Sequence, residues 1–178
     1  MAEGLALPYT FLAGGQNAEF AAQQNFQTIV TFINRRLLAS GLTTFVPKAA
    51  SESVTSSITL QDDDDLSFTT EASAVYAFES ILIVSSASAI PDFQFQWVEA
   101  DGTWDFRYSV GTATSAINEG TAAAAVSLAA ATGIPLHFVG SIVAGATGGV
   151  FKLQWAQNTS DATATVVELG SWLSYRKL

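Results

Sequence analysis

The 178-residue chain has no cysteine, one histidine and one methionine, and only 13% of its residues are charged. Without cysteine there is neither a disulfide framework nor a thiolate metal site, so packing has to hold the fold. The lone His137 excludes the spaced histidine pair of common zinc sites. Basic residues are also scarce. Seven Lys and Arg stand against sixteen Asp and Glu, and the net charge of −9 opposes approach to phosphate backbones and anionic lipid. A nucleic-acid partner is not expected. No apolar run reaches the roughly 18 residues of a membrane span: 122–131 and 134–146 come nearest, and Ser, His or Gly interrupts them. Residues 1–15 carry Glu3 and no basic group ahead of their apolar stretch, the wrong charge order for a secretory signal. The expectation is a soluble protein with no membrane partner.

What the chain does have is apolar material, 49% of its residues, enough for a sizeable core. Its length suits one domain plus a short appendage. Charge divides along the chain. Residues 1–50 hold three basic and two acidic groups, whereas 51–178 hold four basic and fourteen acidic groups. From Gln16 to Ser40 there is no Gly or Pro, and Phe26, Val30, Ile33 and Leu37 are spaced to form one helical stripe. Asn17 suits the N-cap and Gly41 the stop, with Arg35 and Arg36 near the negative end of the dipole. Phe20, Ile29 and Phe32 widen the apolar surface beyond what such a helix hides alone, so it requires a partner surface, with packing on its own domain as the alternative.

Past Pro47 the periodicity changes from helical to alternating. Phe93, Phe95 and Trp97 take every second place, as do Phe151, Leu153 and Trp155, with Gln94, Gln96, Lys152 and Gln154 pointing the other way. Similar runs at 54–60, 66–70, 74–84, 104–110, 136–143 and 163–175 bring the count to about eight strands. The Ala-rich stretch 112–132 reads as loop with a short strand near 125–128. With no helical crossovers between them, the strands form an antiparallel sandwich, jelly-roll-like in strand number. Asp101-Gly102 is the clearest hairpin signal, and the glycines of Gly145, Gly148 and Gly149 read as another. The expected fold class is mainly β, an antiparallel β-sandwich preceded by an extended N-terminal arm and one α-helix. The expected division is 1–47 for arm and helix and 48–178 for the sandwich.

Chemistry-bearing constellations are few. A GxSxG motif is missing, and His137 has no recognisable catalytic partner, so it reads as a strand residue on an outer face. The glycines of residues 145–149 have neither the Lys-Ser/Thr of a P-loop nor dinucleotide spacing. Asp62 to Asp65 repel one another and read as a solvated turn, with a bound calcium as the sharper alternative; the EF-hand pattern fails because position twelve is Ser73. Glu99, Asp101 and Asp105 resemble an acid pair for glycoside cleavage only by proximity, and a solvated hairpin tip accounts for them. No catalytic residue, cofactor or metal is expected, and the chain reads as a non-enzyme.

The strings ESVTSSITLQDDDDLSF (Glu52 to Phe68), YAFE (Tyr76 to Glu79) and LQWAQNTSDATATVV (Leu153 to Val167), with the terminal GSWLSYRKL, resemble a small β-domain of tailed-bacteriophage virion proteins over residues 48–178. The resemblance implies a jelly-roll-like domain on the particle surface, commonly trimeric, in head-decoration and minor tail or fibre-tip proteins. Residues 8–37 are similar in style to phage attachment segments. On this reading Phe26, Val30, Ile33 and Leu37 pack around a homotrimer axis, and Tyr9, Phe11 and Leu12 dock into the particle. The decoration role makes the major capsid protein the partner. The alternative is a tail or fibre-tip protein that contacts tail proteins and a host-surface glycan through tryptophans.

Overall fold

The computed structural model describes Ile29 and residues 42–178 except 112, 120–123 and 128–130, with backbone alone for 113–119 and 131–132. The docking residues Tyr9, Phe11 and Leu12 and the stripe Phe26, Val30, Ile33 and Leu37 lie outside the described residues. The β-rich part of the chain is the unit Thr43–Leu178.

Twelve strands run through the described residues: β1 (Thr44–Pro47), β2 (Glu52–Val54), β3 (Gln61–Thr70), β4 (Val75–Ser86), β5 (Phe93–Val98), β6 (Thr103–Val110), β7 (Ala113–Glu119), β8 (Ala124–Val126), β9 (Ala131–Val143), β10 (Gly149–Ala156), β11 (Thr165–Val167) and β12 (Trp172–Lys177). All strand pairings are antiparallel. An eight-stranded sheet has the order β1-β12-β4-β9-β6-β7, with β11 and β2 attached beside β4, and a four-stranded sheet has the order β3-β10-β5-β8. Leave out β2, β6, β7 and β11, and eight strands remain. One sheet then takes the first, eighth, third and sixth of them in turn, the other the second, seventh, fourth and fifth. That interleaving is the double Greek key of a jelly roll. The β6–β7 hairpin extends the larger sheet between the fourth and fifth strands of the roll.

Alternation along the strands explains why the two sheets face each other. Phe93, Phe95 and Trp97 from β5 and Phe151, Leu153 and Trp155 from β10 are fully buried. Opposite them, Phe78 from β4 lies 4.9 Å from Phe151 and 5.3 Å from Trp97, and Phe138 from β9 lies 5.0 Å from Phe95, centroid to centroid. Phe68 of β3 stacks on Tyr175 of β12 at 3.8 Å. These ring contacts cross the gap between the sheets and make one aromatic core, each well-placed pair adding about 0.5–1.5 kcal/mol beyond area burial.

Gly140 of β9 faces this core between Phe106 and Phe78 and gives their rings room. A Cβ there would stand 2.5 Å from the Asp105 carbonyl and 2.7 Å from both Phe106 Cβ and Phe78 Cε1.

Several expectations are corrected by the strand order. Asp101-Gly102 does turn the chain, but β5 and β6 belong to different sheets, so the turn is an arch over the end of the sandwich and not a hairpin. The glycines at 145–149 likewise carry the chain from β9 in one sheet to β10 in the other. Both flanking strands of each arch bury large side chains, and they bury them from opposite sides of the core. The run 163–175 is split into β11 and β12 by a turn at Gly170, which has φ 103°. The Ala-rich stretch contributes β7 as well as the short β8.

Candidate functional site

The acidic run Asp62–Asp65 lies inside β3 and is not a solvated turn. Asp62 pairs with Gln154 and Ser67 with Lys152, so the residues between are taken up as a bulge opposite β10. Asp63 Oδ1 accepts hydrogen bonds from the bulge amides of Asp65, at 3.1 Å, and Leu66, at 2.9 Å. Its Oδ2 lies 2.8 Å from the Lys48 ammonium, and both side chains are completely buried. Lys48 follows β1 at the edge of the other sheet, so the ion pair ties the two sheets together. Glu52, at 3.1 Å, and Asp65, at 3.7 Å, complete the acidic shell around Lys48. Burial pulls the Lys48 ammonium down, but hydrogen bonds and charge from Asp63 and Glu52 outweigh it and hold its pKa above the usual 10.5. Lys48 thus meets the run at Asp63 and Asp65, and Lys152 meets it at Asp62.

Asp62 points outward into a polar ladder on the free face of the four-stranded sheet. Lys152 Nζ and Gln154 Nε2 donate to its two oxygens at 2.5 and 2.6 Å, and Gln96 Nε2 donates to Gln154 Oε1 at 2.5 Å. The Lys152 and Gln154 hydrogen bonds hold the Asp62 carboxyl below its usual 3.8.

Glu99 is buried, at 5% exposure, and not at a solvated tip. Its Oε1 accepts from Thr70 Oγ1 at 2.9 Å, and it packs against the Cα atoms of Gly102 and Gly149 where the arches meet. Asp101 lies against Gly145 and is exposed, and Asp105 points outward from β6, so the three acids do not converge on one cleft. His137 stands on the outer face of β9, with Nε2 2.8 Å from Glu79 Oε1 of β4. Among the described residues no group of three or more His, Asp or Glu is placed to hold a metal ion, and no helix is long and apolar enough to cross a membrane.

Trp97, Trp104 and Trp155 are core residues, and their indole N–H groups find no acceptor among the described residues. Trp172 is the exception. It sits half-buried on the outer face of the eight-stranded sheet, its ring 5.4 Å from that of Phe45, which is 58% exposed. Register places further side chains on this face in rows across the strands: Arg107, Val139, Glu79, Ser174 and Phe45 in one, Ser109, His137, Ile81, Trp172 and Pro47 in the next. A shallow depression of about 270 Å³ opens over the small residues Ala77, Gly140 and Ser174, walled by Thr43, Glu79, Val139 and Arg176. No motif announces this face. Its signal in the sequence is the second, outward set of apolar residues in β4 and β9, such as Ile81, Ile83, Val139 and Val143.

No family model matches the chain, and no curated protein matches it. Among solved structures it is similar to the tripod (BppUct-A-L) from the baseplate of bacteriophage Tuc2009, at 12% identity over 100% of both chains with a TM-score of 0.35. It is also similar to infectious bursal disease virus Gt strain, at 11% identity over 78% of this chain and 42% of that one, with a TM-score of 0.21. Likeness at these scores settles neither fold nor activity; the jelly-roll strand order rests on the chain's own hydrogen bonding.

Proposed function

We propose that the protein is a non-enzymatic structural component of a tailed-bacteriophage virion, a trimeric capsid decoration protein docked through its N-terminal arm with the β-sandwich exposed. The observation that carries this reading is the jelly-roll strand order over the same residues whose strings resemble the phage virion β-domain. Because folds host many functions, the site has to agree. It does so by its chemistry: the buried charges Lys48 and Asp63 are spent on each other, the acids at the arches stay apart, and the tryptophan-rich interior is closed core. Such a domain acts by shape and surface. Tyr9, Phe11 and Leu12 supply the anchor to the major capsid protein, and Phe26, Val30, Ile33 and Leu37 the trimer axis.

One observation favours a second reading, a minor tail or fibre-tip protein that binds host glycan. The Phe45–Trp172 pair is the kind of partly exposed aromatic platform on which a sugar ring stacks. Co-sedimentation separates these readings. Full-length chain added to particles lacking it should pellet with capsids, and a chain without residues 1–15 should stay in the supernatant while keeping its β-sheet circular dichroism. Pelleting with isolated tails, or capture by a host glycan that Trp172→Ala abolishes, supports the second reading. Equal docking with and without residues 1–15 removes the arm from the mechanism.

A further inference from the structure

The outer face of the eight-stranded sheet is not flat. One row across its strands runs from Arg176 on β12 through Ala77 on β4 and Ser141 on β9 to Asp105 on β6, so its middle is made of short side chains. Glu79 and Val139 stand in the row on one side of it, Val75 and Val143 in the row on the other. Two depressions open along this line and adjoin: the one of about 270 Å³ over Ala77 and Ser174, and one of about 350 Å³ lined by Thr103, Asp105, Ser141 and Val143. At about 4.8 Å between strands, the trough from β12 to β6 is roughly 14 Å long. Phe45, which is 58% exposed, stands across from Ser174 at its β12 end. We propose that this trough binds a neutral saccharide, laid across the strands with one sugar ring against Phe45.

Hydrogen-bonding chemistry identifies the ligand. Arg176 and Glu79 both line the trough, yet among the described residues Arg176 has no carboxylate within ion-pair distance. Glu79 Oε1 is engaged by His137 Nε2 at 2.8 Å, and its Oε2 accepts no hydrogen bond among the described residues. One wall thus offers donors and another an acceptor. A hydroxyl group, which both donates and accepts, satisfies either, and Ser141 and Thr103 add hydroxyls of the same kind. The apolar C–H face of a sugar ring matches Phe45 and Val139, in keeping with a site that is mostly apolar with a few polar groups to fix orientation. An anionic ligand would meet Asp105, which register sets beside Glu119, on a chain of net charge −9. A purely aliphatic one would cover Arg176 and Glu79 without pairing them, at a desolvation cost. An extended peptide adds to a sheet edge, whereas this trough crosses β4 and β9 in the middle of the sheet.

The inference deepens the glycan-binding reading, on which it rests, by giving the saccharide a place and a charge class. It does not depend on where in the particle the chain sits. A chain found on particles that binds no sugar contradicts this inference alone, and a sugar-binding chain missing from particles contradicts the virion role alone.

The test is binding of the full chain to an array of neutral and acidic saccharides, followed by calorimetric titration with the neutral oligosaccharide that gives the strongest signal. Wild type is compared with Arg176→Ala and Phe45→Ala in the trough and with Gln96→Glu on the opposite outer face, and circular dichroism confirms that each is folded. The wild type should bind neutral saccharides in preference to sialylated or uronic ones. Arg176→Ala and Phe45→Ala should each weaken the titrated affinity at least about ten-fold, and Gln96→Glu should bind like the wild type. Arg176 is exposed, so its variant serves alone should Phe45→Ala fold poorly. No binding to any neutral saccharide on the array overturns the inference, as does a preference for the acidic ones. A folded Arg176→Ala chain that keeps the wild-type affinity overturns it too, because the sugar then sits elsewhere.

Discussion

The Lys48 ammonium and the Asp63 carboxylate meet at 2.8 Å with no solvent exposure on either side chain, one at the edge of each sheet. The pair also organises the bulge in β3, since Asp63 receives two of its amides. Removing one partner leaves the other charge buried and uncompensated, which costs about 3–5 kcal/mol. Asp63→Ala should therefore lower the urea midpoint severely. Lys48→Met combined with Asp63→Leu should recover much of the loss, and a double variant no more stable than Asp63→Ala would show that the bulge amides, not the ion pair, dominate.

The same cluster fixes the response to alkali. The folded-state pKa of Lys48 is raised, so its contribution is complete below the unfolded value of 10.5 and is lost as pH climbs through the folded value above it. Stability measured by urea titration should be level in this respect from neutral pH to about 10 and then fall. In Lys48→Met that alkaline component should be missing.

At the acid end the sign reverses. Asp62 has a lowered pKa, so its contribution is present above 3.8 and disappears as pH falls through the lower folded value. The carboxylate is half exposed, and solvent screening limits the effect to about 0.5 kcal/mol. Asp62→Asn should lower stability by that small amount at pH 7 and match the wild type near pH 2, read from paired urea curves.

Gly140→Ala adds a single methyl group at a point 2.5 Å from a backbone oxygen and 2.7 Å from two core side chains. The backbone cannot yield cheaply, so the expected loss is about 3 kcal/mol, the upper end for overpacking. Gly133→Ala has free space on its side, with Ile83 at 3.7 Å, but a positive φ of 75°, and should lose less. Thermal melts of the two variants test the order.

Phe151 and Phe45 are both phenylalanines with opposite expectations. Phe151 is fully buried among Trp97, Phe78 and Phe68, and its truncation to Ala should cost about 3–5 kcal/mol. Phe45→Ala, on the outer face, loses its ring contact with Trp172 and should cost only about 0.5–1.5 kcal/mol. Equal losses would mean that Phe45 is covered within its own subunit.

Strands are legible wherever alternation is strict, as in 93–97 and 151–155, because one buried face per strand writes a period of two into the sequence. Which strands pair is not, because an arch and a hairpin use the same turn residues at Asp101-Gly102 and differ only in which side of the core the next strand fills. The acidic run misleads for a related reason. Its repulsion is answered by Lys48, a neighbour only once two sheets are stacked, and the bulge hides the inward place of Asp63 by breaking the alternation that leads up to Leu66. His137 stands where its lone occurrence implies, on an outer face. Glu99 does not lie at a solvated tip, because its burial depends on Gly102 and Gly149 meeting from separate arches.

Labelled electron microscopy of purified particles carrying a tagged copy of the chain tests the central claim most directly. The account predicts label distributed over the capsid surface. Label confined to the tail tip would transfer the protein to the glycan-binding reading, and particles without label, with the tag found only in the unassembled fraction, would contradict a structural role in the virion.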